Sequence, residues 1–231
     1  MTALVTVYLK RAILMSADSL EIEIDSYETQ NIIGMGITQK LFLIESSGTG
    51  ISVGGFSGWD DKSVADILRE FVNSASLTQK SQTDIATDLS HFLSKNYPRL
   101  QSRFHLSGFD GGEPVVMELV YISEGNWKLT RKNARSDGTL DNHFLAMCEK
   151  ETARHFRLHP PDFDAFAIDD AVAFIRKLYE REIDLVTRIK NPPDVAEPID
   201  ILVIFPGGHW FESIKNREEA ILDRASPMKG E

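Results

Sequence analysis

The sequence is poor in cysteine, since Cys148 is the single one among 231 residues. A disulfide needs two thiols, so no bridge can form within one chain, and this composition is typical of a reducing compartment. Cys148 follows the apolar stretch 144–147, and we interpret it as a small buried side chain on a helix face rather than as a nucleophile. We therefore expect a cytoplasmic protein whose chemistry does not depend on this thiol.

Long apolar runs and an excess of positive charge are also missing. The sequence has no run of about 18 apolar residues, which excludes a transmembrane helix, and residues 1–10 do not follow the pattern expected of a secretory signal. The chain carries 25 Lys and Arg against 35 Asp and Glu, a formal charge of −10. Because nucleic acids bind to clustered positive charge, we expect neither a nucleic acid nor a membrane as a partner.

Motifs for metals and cofactors are weak. His155 and His159 are four residues apart, but two prolines follow directly, so the pair is better explained as cations at the end of a helix. Gly34 and Gly36 lack the third glycine of a dinucleotide-binding loop. We therefore predict no cofactor and no metal site.

The pattern of apolar residues predicts two β-hairpins, two helices, more strands, two further helices and a last pair of strands. The predicted strands are 3–9, 12–17, 41–45, 50–54, 103–109, 114–123, 127–131 and 199–205, with a short one near Trp210, and residues 20–39 are predicted as a strand and a long loop. Four helices are predicted. The first begins after Asp60, the second includes residues 85–93, and the other two cover about 139–155 and 166–189.

Strands that are grouped apart from paired helices indicate an α+β fold. Two sheets between two layers of helices, a four-layer αββα sandwich, would bury every apolar face in this pattern. We predict one such domain over residues 1–214, followed by a polar C-terminal tail over residues 215–231.

Several segments resemble the proteasome β subunits and the related bacterial ring peptidases. The likeness is carried by Thr2, by residues 13–19 (ILMSADS), 40–44 (KLFLI) and 50–55 (GISVGG), by the Gly-Phe-Asp turn within 106–110, and by the strand-like segment 199–204. This resemblance implies the αββα fold of the N-terminal nucleophile hydrolases, in agreement with the order of elements predicted above.

The resemblance implies catalytic roles for four residues. In the family the nucleophile is the hydroxyl of an N-terminal threonine, a place that Thr2 takes once Met1 is removed. Asp18 and Lys40 match the acid and the lysine that support this threonine, and Gly55 matches the glycine whose N–H helps to stabilise the oxyanion. A threonine hydroxyl is a weak nucleophile and needs a base within hydrogen-bond reach. A free α-amine is suitable, because its ordinary pKa of roughly 7.7–8.0 is close to the working pH.

Two further residues match the family pattern less closely. The family has an Asp and a Ser in the loop before its last core strand, whereas residues 190–198 contain no Ser and offer Asp194 as a displaced candidate for the acid. The family's Ser-Gly-rich turn is replaced here by residues 133–138, in which Ser136 is the candidate. The loop ahead of Lys40 is also longer than in typical members. Asp194 and Ser136 are therefore predicted only as supporting residues.

The sequence thus predicts an N-terminal threonine hydrolase that cleaves peptide bonds through an acyl-enzyme at Thr2. The resemblance also implies a polypeptide substrate and a ring of identical subunits, and it leaves open whether an unfolding ATPase docks on that ring. Two alternatives stay open. One is a non-catalytic scaffold or assembly subunit with the same fold, favoured by the missing loop serine, and the other is a hydrolase of small amides.

Overall fold

The computed structural model of the protein describes residues 2–24, 32–56, 58–59, 62–77 and 79–223, and within these ranges it forms fourteen strands and five helices. The strands are β1 (Leu4–Tyr8), β2 (Ile13–Asp18), β3 (Leu20–Ile24), β4 (Ile32–Ile37), β5 (Leu41–Ile44), β6 (Thr49–Gly55), β7 (Gly58–Trp59), β8 (Lys62–Ser63), β9 (Ser102–Asp110), β10 (Glu113–Ser123), β11 (Asn126–Arg131), β12 (His143–Met147), β13 (Ile199–Phe205) and β14 (Gly208–Ser213). The helices are α1 (Val64–Ser74), α2 (Gln82–Asn96), α3 (Lys150–Leu158), α4 (Ile168–Ile189) and α5 (Arg217–Ala220), with a 3-10 turn at Phe163–Ala165. Of these helices, none has the length and apolar character that crossing a bilayer requires.

Two five-stranded sheets form the centre of the fold. Their strand orders are β12-β1-β2-β13-β14 and β11-β10-β9-β6-β5, and all neighbouring strands are antiparallel. The two predicted N-terminal hairpins, β1–β2 and β5–β6, are confirmed. The strands β1 and β2 are buried along their whole length, which explains why their sequence is apolar without interruption.

Three apolar clusters hold the sheets and helices together. The first lies between the two sheets and includes Leu4, Met15, Leu43 and Val116. A second joins α1 and α2 to the other face of the β5-containing sheet, and a third joins α3 and α4 to the other face of the β1-containing sheet. The fold is therefore a mixture of helices and antiparallel sheets in which both faces of each large sheet are covered.

A buried polar pair also links the sheets. A hydrogen bond of 3.0 Å joins Thr6 Oγ1 on β1 to His105 Nδ1 on β9. Burial lowers the pKa of His105 to about 3, so the imidazole stays neutral at physiological pH. The pair therefore brings no charge into the space between the sheets.

The helix predicted over 139–155 is wrong for its first half. Residues His143–Met147 form β12, which pairs with β1 from His143 opposite Tyr8 to Met147 opposite Leu4, and α3 begins only at Lys150. The backbone groups of this segment are satisfied by a strand more than a hundred residues away, and local periodicity carries no information about such pairing.

This change also moves Cys148 from the predicted helix face to the junction between β12 and α3, where it is half-buried. Burial raises the pKa of its thiol to about 12, so the reactive thiolate does not form at neutral pH.

Two other segments are more ordered than the sequence pattern indicates. Within 20–39, predicted as a strand and a long loop, the structure has the hairpin β3–β4, and residues 25–31 lie outside the described residues. Within the predicted tail, 215–231, the helix α5 is followed by buried Ile221 and Leu222, and Leu222 N donates to Leu43 O at 2.9 Å. Residues 224–231 lie outside the described residues.

Candidate active site

Three predicted site residues from separate parts of the chain meet in the structure. Lys40 Nζ lies 3.2 Å from Thr2 Oγ1 and 3.3 Å from Asp18 Oδ2, and it also donates to the carbonyl oxygen of Leu20. All three predicted residues are buried. The Lys40 side chain is thus held against a threonine hydroxyl, where a positive charge would stabilise a negative charge on the hydroxyl oxygen.

The backbone of the first hairpin fixes the carboxylate of Asp18. This residue ends β2, and its Oδ1 and Oδ2 accept hydrogen bonds from Ala3 N at 2.9 Å and Leu20 N at 3.1 Å. Tyr179 of α4 donates its hydroxyl to Ala3 O at 2.9 Å, so the residue that follows Thr2 is held from both sides. The position of Thr2 therefore depends on the hairpin and on α4.

Lys40 reaches the site from the other sheet. It directly precedes β5, and its carbonyl accepts a hydrogen bond from Val53 N of β6 at 2.9 Å. Because Thr2 and Asp18 belong to the first sheet and Lys40 to the second, the site forms only when the two sheets pack. The local sequence around Lys40 gives no sign of this contact.

Burial dominates the electrostatics of the Asp18–Lys40 pair. It raises the pKa of Asp18 to about 6, against the opposing effects of Lys40 and of the two backbone N–H groups. Burial also lowers the pKa of Lys40, and Asp18 is the largest of the neighbours that oppose this change. Near neutral pH the Asp18 carboxyl is therefore ionised, but it is close to the range in which it takes up a proton.

Gly55 lies at the exposed end of β6 in a backbone conformation that favours glycine. Its φ angle is +100°, and a Cβ at this position would lie 2.6 Å from Gln101 O. The preceding Gly54 is packed against the first sheet, since a Cβ there would lie 3.3 Å from Leu4 Cδ1 and 2.8 Å from Met147 Sδ. The end of β6 thus packs closely against the strand that follows Thr2, and the side chains of Leu4 and Met147 take up the space beside Gly54.

We expect Gly55→Ala to destabilise the protein by about 1–3 kcal/mol, because the methyl group meets the backbone while φ is positive. Gly112→Ala is the matched control, since Gly112 has a φ of +89° and nothing within 4 Å of its added Cβ. Urea unfolding of both variants measures the difference. Equal losses in the two variants would contradict a steric role for the Gln101 carbonyl.

A second group of charges lies beside the site and is centred on Lys190. Its Nζ lies 2.5 Å from Glu149 Oε1 and 2.6 Å from Asp194 Oδ2, which joins the end of α4, the start of α3 and the loop before β13. Burial alone would raise the pKa of Asp194, but its cationic partners, Lys190 first, hold that pKa below the usual value. Asp194 is near enough to Lys40 to raise the pKa of its ammonium.

The structure does not bring Ser136 to this group. Ser136 is exposed in the loop between β11 and β12, and that loop enters β12 at His143, opposite Tyr8. Thr2 lies beyond the other end of β1, next to Met147 and the residues that follow it. The β12–α3 junction, with Cys148 and Glu149, therefore lies beside Thr2. Residues 133–138 lie at the opposite end of β12.

Sequence reasoning missed the buried acid Glu182 on α4. Its carboxylate accepts a hydrogen bond from Glu149 N at 2.8 Å, at the residue that precedes α3. A signal was available, because Glu182 continues the helical spacing of the buried residues Ala171, Ile175 and Leu178. A charged residue within an apolar stripe indicates a buried polar contact.

Among the described residues, no group of three or more His, Cys, Asp or Glu side chains is arranged to hold a metal ion. His155 and His159 lie at the end of α3 with ring centroids 6.1 Å apart.

Comparison with solved structures finds that the fold is similar to that of the protein Anbu. A mutant of Anbu from Hyphomicrobium sp. strain MC1 gives a TM-score of 0.62 at 16% sequence identity, over 95% of this chain and 90% of that chain. Anbu from the same organism in another crystal form gives 0.61 at 15% identity, over 94% and 90%. No protein-family model matches the sequence, and no curated protein matches it. At these identities the likeness concerns the fold alone.

Proposed function

We propose that this protein is a threonine hydrolase of the N-terminal nucleophile type, built on a four-layer αββα domain. The observation that carries the proposal is the contact of Lys40 Nζ with both Thr2 Oγ1 (3.2 Å) and Asp18 Oδ2 (3.3 Å). Burying a lysine and an aspartate removes both from water at a large free-energy cost. Burial of such a pair beside a hydroxyl is therefore better explained by catalysis than by stability.

The proposed reaction begins when Met1 is removed and Thr2 becomes the N-terminal residue. The Thr2 hydroxyl attacks the carbonyl carbon of an amide, and its proton passes to the free α-amine of the same residue. Lys40 stabilises the negative charge that develops on Thr2 Oγ1, and the N–H of Gly55 stabilises the oxyanion of the carbonyl. The C–N bond then breaks, and the leaving amine takes the proton.

Water completes the cycle. It attacks the acyl ester on Thr2, gives one proton to the α-amine, and releases the acid while the Thr2 hydroxyl is restored. Asp18 takes no part in the bond changes. It keeps Lys40 charged and directed at Thr2, and its own position is fixed by Ala3 N and Leu20 N.

The resemblance in sequence and the Anbu-like fold favour a polypeptide substrate and an assembly of identical subunits over a small-amide hydrolase. In a ring, neighbouring subunits would cover exposed apolar side chains such as Ile37 and Met35 of β4, which are 65% and 49% exposed. Sedimentation velocity of the purified protein measures this assembly.

A non-catalytic scaffold is the second candidate function, and the loop before β13 favours it. This loop contains no serine, and the carboxylate of Asp194 accepts a hydrogen bond from Lys190 at 2.6 Å. Lys190 thus competes with the nucleophile for this carboxylate. The scaffold alternative predicts full assembly without turnover.

The first experiment is the intact mass of the assembled protein. Catalysis by Thr2 requires the loss of one methionine mass, because an amide nitrogen at Thr2 cannot act as the base. The same sample is then incubated with peptide substrates and with a peptide boronate, which reacts with an activated hydroxyl. Retention of Met1 in the assembled protein, or assembly without turnover or labelling, supports the scaffold instead.

The pH dependence of kcat/KM is expected to reflect two titrating groups on its acidic side. The α-amine must be neutral to act as a base, and below a pH of about 6 the protonation of Asp18 also removes the partner of Lys40. We therefore expect kcat/KM to fall more steeply below pH 6 than one titrating amine produces. The residual activity of Asp18→Asn should lack this second step.

The free energy of unfolding, in contrast to kcat/KM, should gain from Asp18 as the pH falls. The pKa of Asp18 rises from its ordinary 3.8 to about 6 in the folded protein, so the folded state binds more protons than the unfolded state between these values. The contribution of Asp18 to the free energy of unfolding thus increases as the pH falls from 7 towards 4. Urea unfolding of the wild type and Asp18→Asn at pH 5 and 7 tests this sign.

A further inference from the structure

A groove opens next to Gly55 at the end of β6. Its volume is about 900 Å³, and it is bounded by Gly54 and Gly55, by the first residues of β9 and by α3. Because Gly54 is packed against Met147 and Leu4, the groove starts at the strand ends that surround Thr2. A substrate held by the N–H of Gly55 would therefore extend into it.

One wall of this groove is formed by cationic side chains of α3. Lys150, Arg154 and Arg157 are spaced four and three residues apart, which places them along one side of the helix, and all three line the groove. They are exposed. The helix thus presents three positive charges to the space beside the proposed oxyanion site, although the whole chain has a net charge of −10.

These three charges are not balanced by neighbouring acids. In the part of the chain that the structure describes, no ion pair involves Lys150, Arg154 or Arg157. Two acids flank Lys150 in the sequence: Glu149 is paired with Lys190 at 2.5 Å, and Glu151 does not line the groove. The other cation of the groove, Arg103, lies 3.6 Å from Glu118 and is already partnered.

The remaining lining fits the carbon chain of a side chain better than a second charge. Val120, Ala146, Met147 and Ala153 contribute apolar surface to the groove. An acidic side chain could lay its methylene groups on this surface and direct its carboxylate to the arginines, whose guanidinium groups bind carboxylates through paired hydrogen bonds.

We propose that this groove selects peptide substrates that carry an acidic side chain close to the bond that is cleaved. Arg154 and Arg157 are the residues that recognise the carboxylate, with Lys150 adding to the positive potential. This inference rests on the proposed function, because the groove becomes a substrate site only if Gly55 holds the scissile carbonyl.

The test compares matched peptides that differ in one side chain next to the cleaved bond, Glu, Gln or Lys. The wild type should favour Glu over Gln by about 2- to 30-fold in kcat/KM, the range expected of one or two exposed ion pairs, and the preference should shrink with added salt. The double variant Arg154→Glu/Arg157→Glu should reverse the order of Glu and Lys, so that the Lys peptide has the highest kcat/KM and the Glu peptide the lowest.

The matched control is Lys177→Glu/Arg181→Glu, which makes the same change in charge on exposed positions of α4 that do not line the groove. It should keep the wild-type preference. Equal rates on the three peptides in the wild type, or a preference that the α3 variant leaves unchanged, would overturn the inference.

Binding separates this inference from the proposed catalysis. Fluorescence anisotropy of labelled Glu, Gln and Lys peptides is measured with the Thr2→Ala variant, which lacks the nucleophile but keeps the groove. Tighter binding of the Glu peptide, lost on Arg154→Glu/Arg157→Glu, supports the groove even if no hydrolysis is found. Hydrolysis without any selectivity in binding or rate contradicts the groove and leaves the proposed function intact.

Discussion

Replacing Thr2 with alanine is expected to reduce peptide hydrolysis on the order of a thousandfold or more, because the variant lacks the oxygen that forms the acyl ester. Thr2→Ser keeps this oxygen and should retain part of the activity. The loss should appear in kcat, since the hydroxyl acts on the bond that is broken rather than on the binding of the whole peptide. The measurement is kcat/KM and kcat on a fluorogenic peptide, with protein whose N-terminus has been verified by mass.

The matched control for this variant is Thr83→Ala, which removes the same atoms from an exposed position on α2. It should be as active and as stable as the wild type. If Thr2→Ala hydrolyses peptides at the wild-type rate, then another group or another protein in the sample carries the activity, and Thr2 is not the nucleophile.

Replacing Lys40 with methionine is expected to affect both activity and stability. Turnover should fall by about 10²–10³-fold, because the ammonium no longer stabilises the charge on Thr2 Oγ1. The free energy of unfolding should fall by about 3–5 kcal/mol, the usual effect of removing one partner of a buried ion pair. The side chain of Asp18, which has 0% exposure, would then lose the ammonium that lies 3.3 Å from its Oδ2.

A double variant separates the two effects of Lys40. Asp18→Asn/Lys40→Met has no buried charge at this position, so it should regain part of the lost stability while it stays inactive. Urea unfolding and peptide turnover are measured on Lys40→Met, Asp18→Asn and the double variant. A Lys40→Met protein that is as stable as the wild type would show that the pair is not formed, and one that is fully active would show that the ammonium is not needed.

The fold could be predicted largely from local patterns. Amphipathic helices such as α1, and strands with an unbroken apolar sequence such as β1 and β2, show their periodicity within a short window. The segment 143–147 could not be predicted in this way, because its partner is β1 at the start of the chain. Its few apolar residues fit one turn of a helix as well as a strand, and only the long-range pairing decides between them.

The candidate site, too, could be predicted only in part. Thr2, Asp18 and Lys40 could be singled out because they accompany segments that resemble a known family, and the structure brings their side chains together. The same resemblance could not show whether Ser136 or Glu149 lies near Thr2. Which of them lies near Thr2 depends on the register of β12 against β1, and an error in the secondary structure of residues 139–155 shifts the expected position.

The short segment that follows α5 has a consequence for the behaviour of the protein at high concentration. The strand β5 is the last in its sheet, and Leu222 N pairs with Leu43 O while Asp223 accepts the N–H groups of Glu45 and Ser46. An uncovered edge strand is a template on which a second chain can add and aggregate. Leu222 and Asp223, which are remote in sequence from the catalytic candidates, thus cover the free edge of β5, the strand that follows Lys40. We expect this cover to prevent edge-to-edge association of β5 with a second chain.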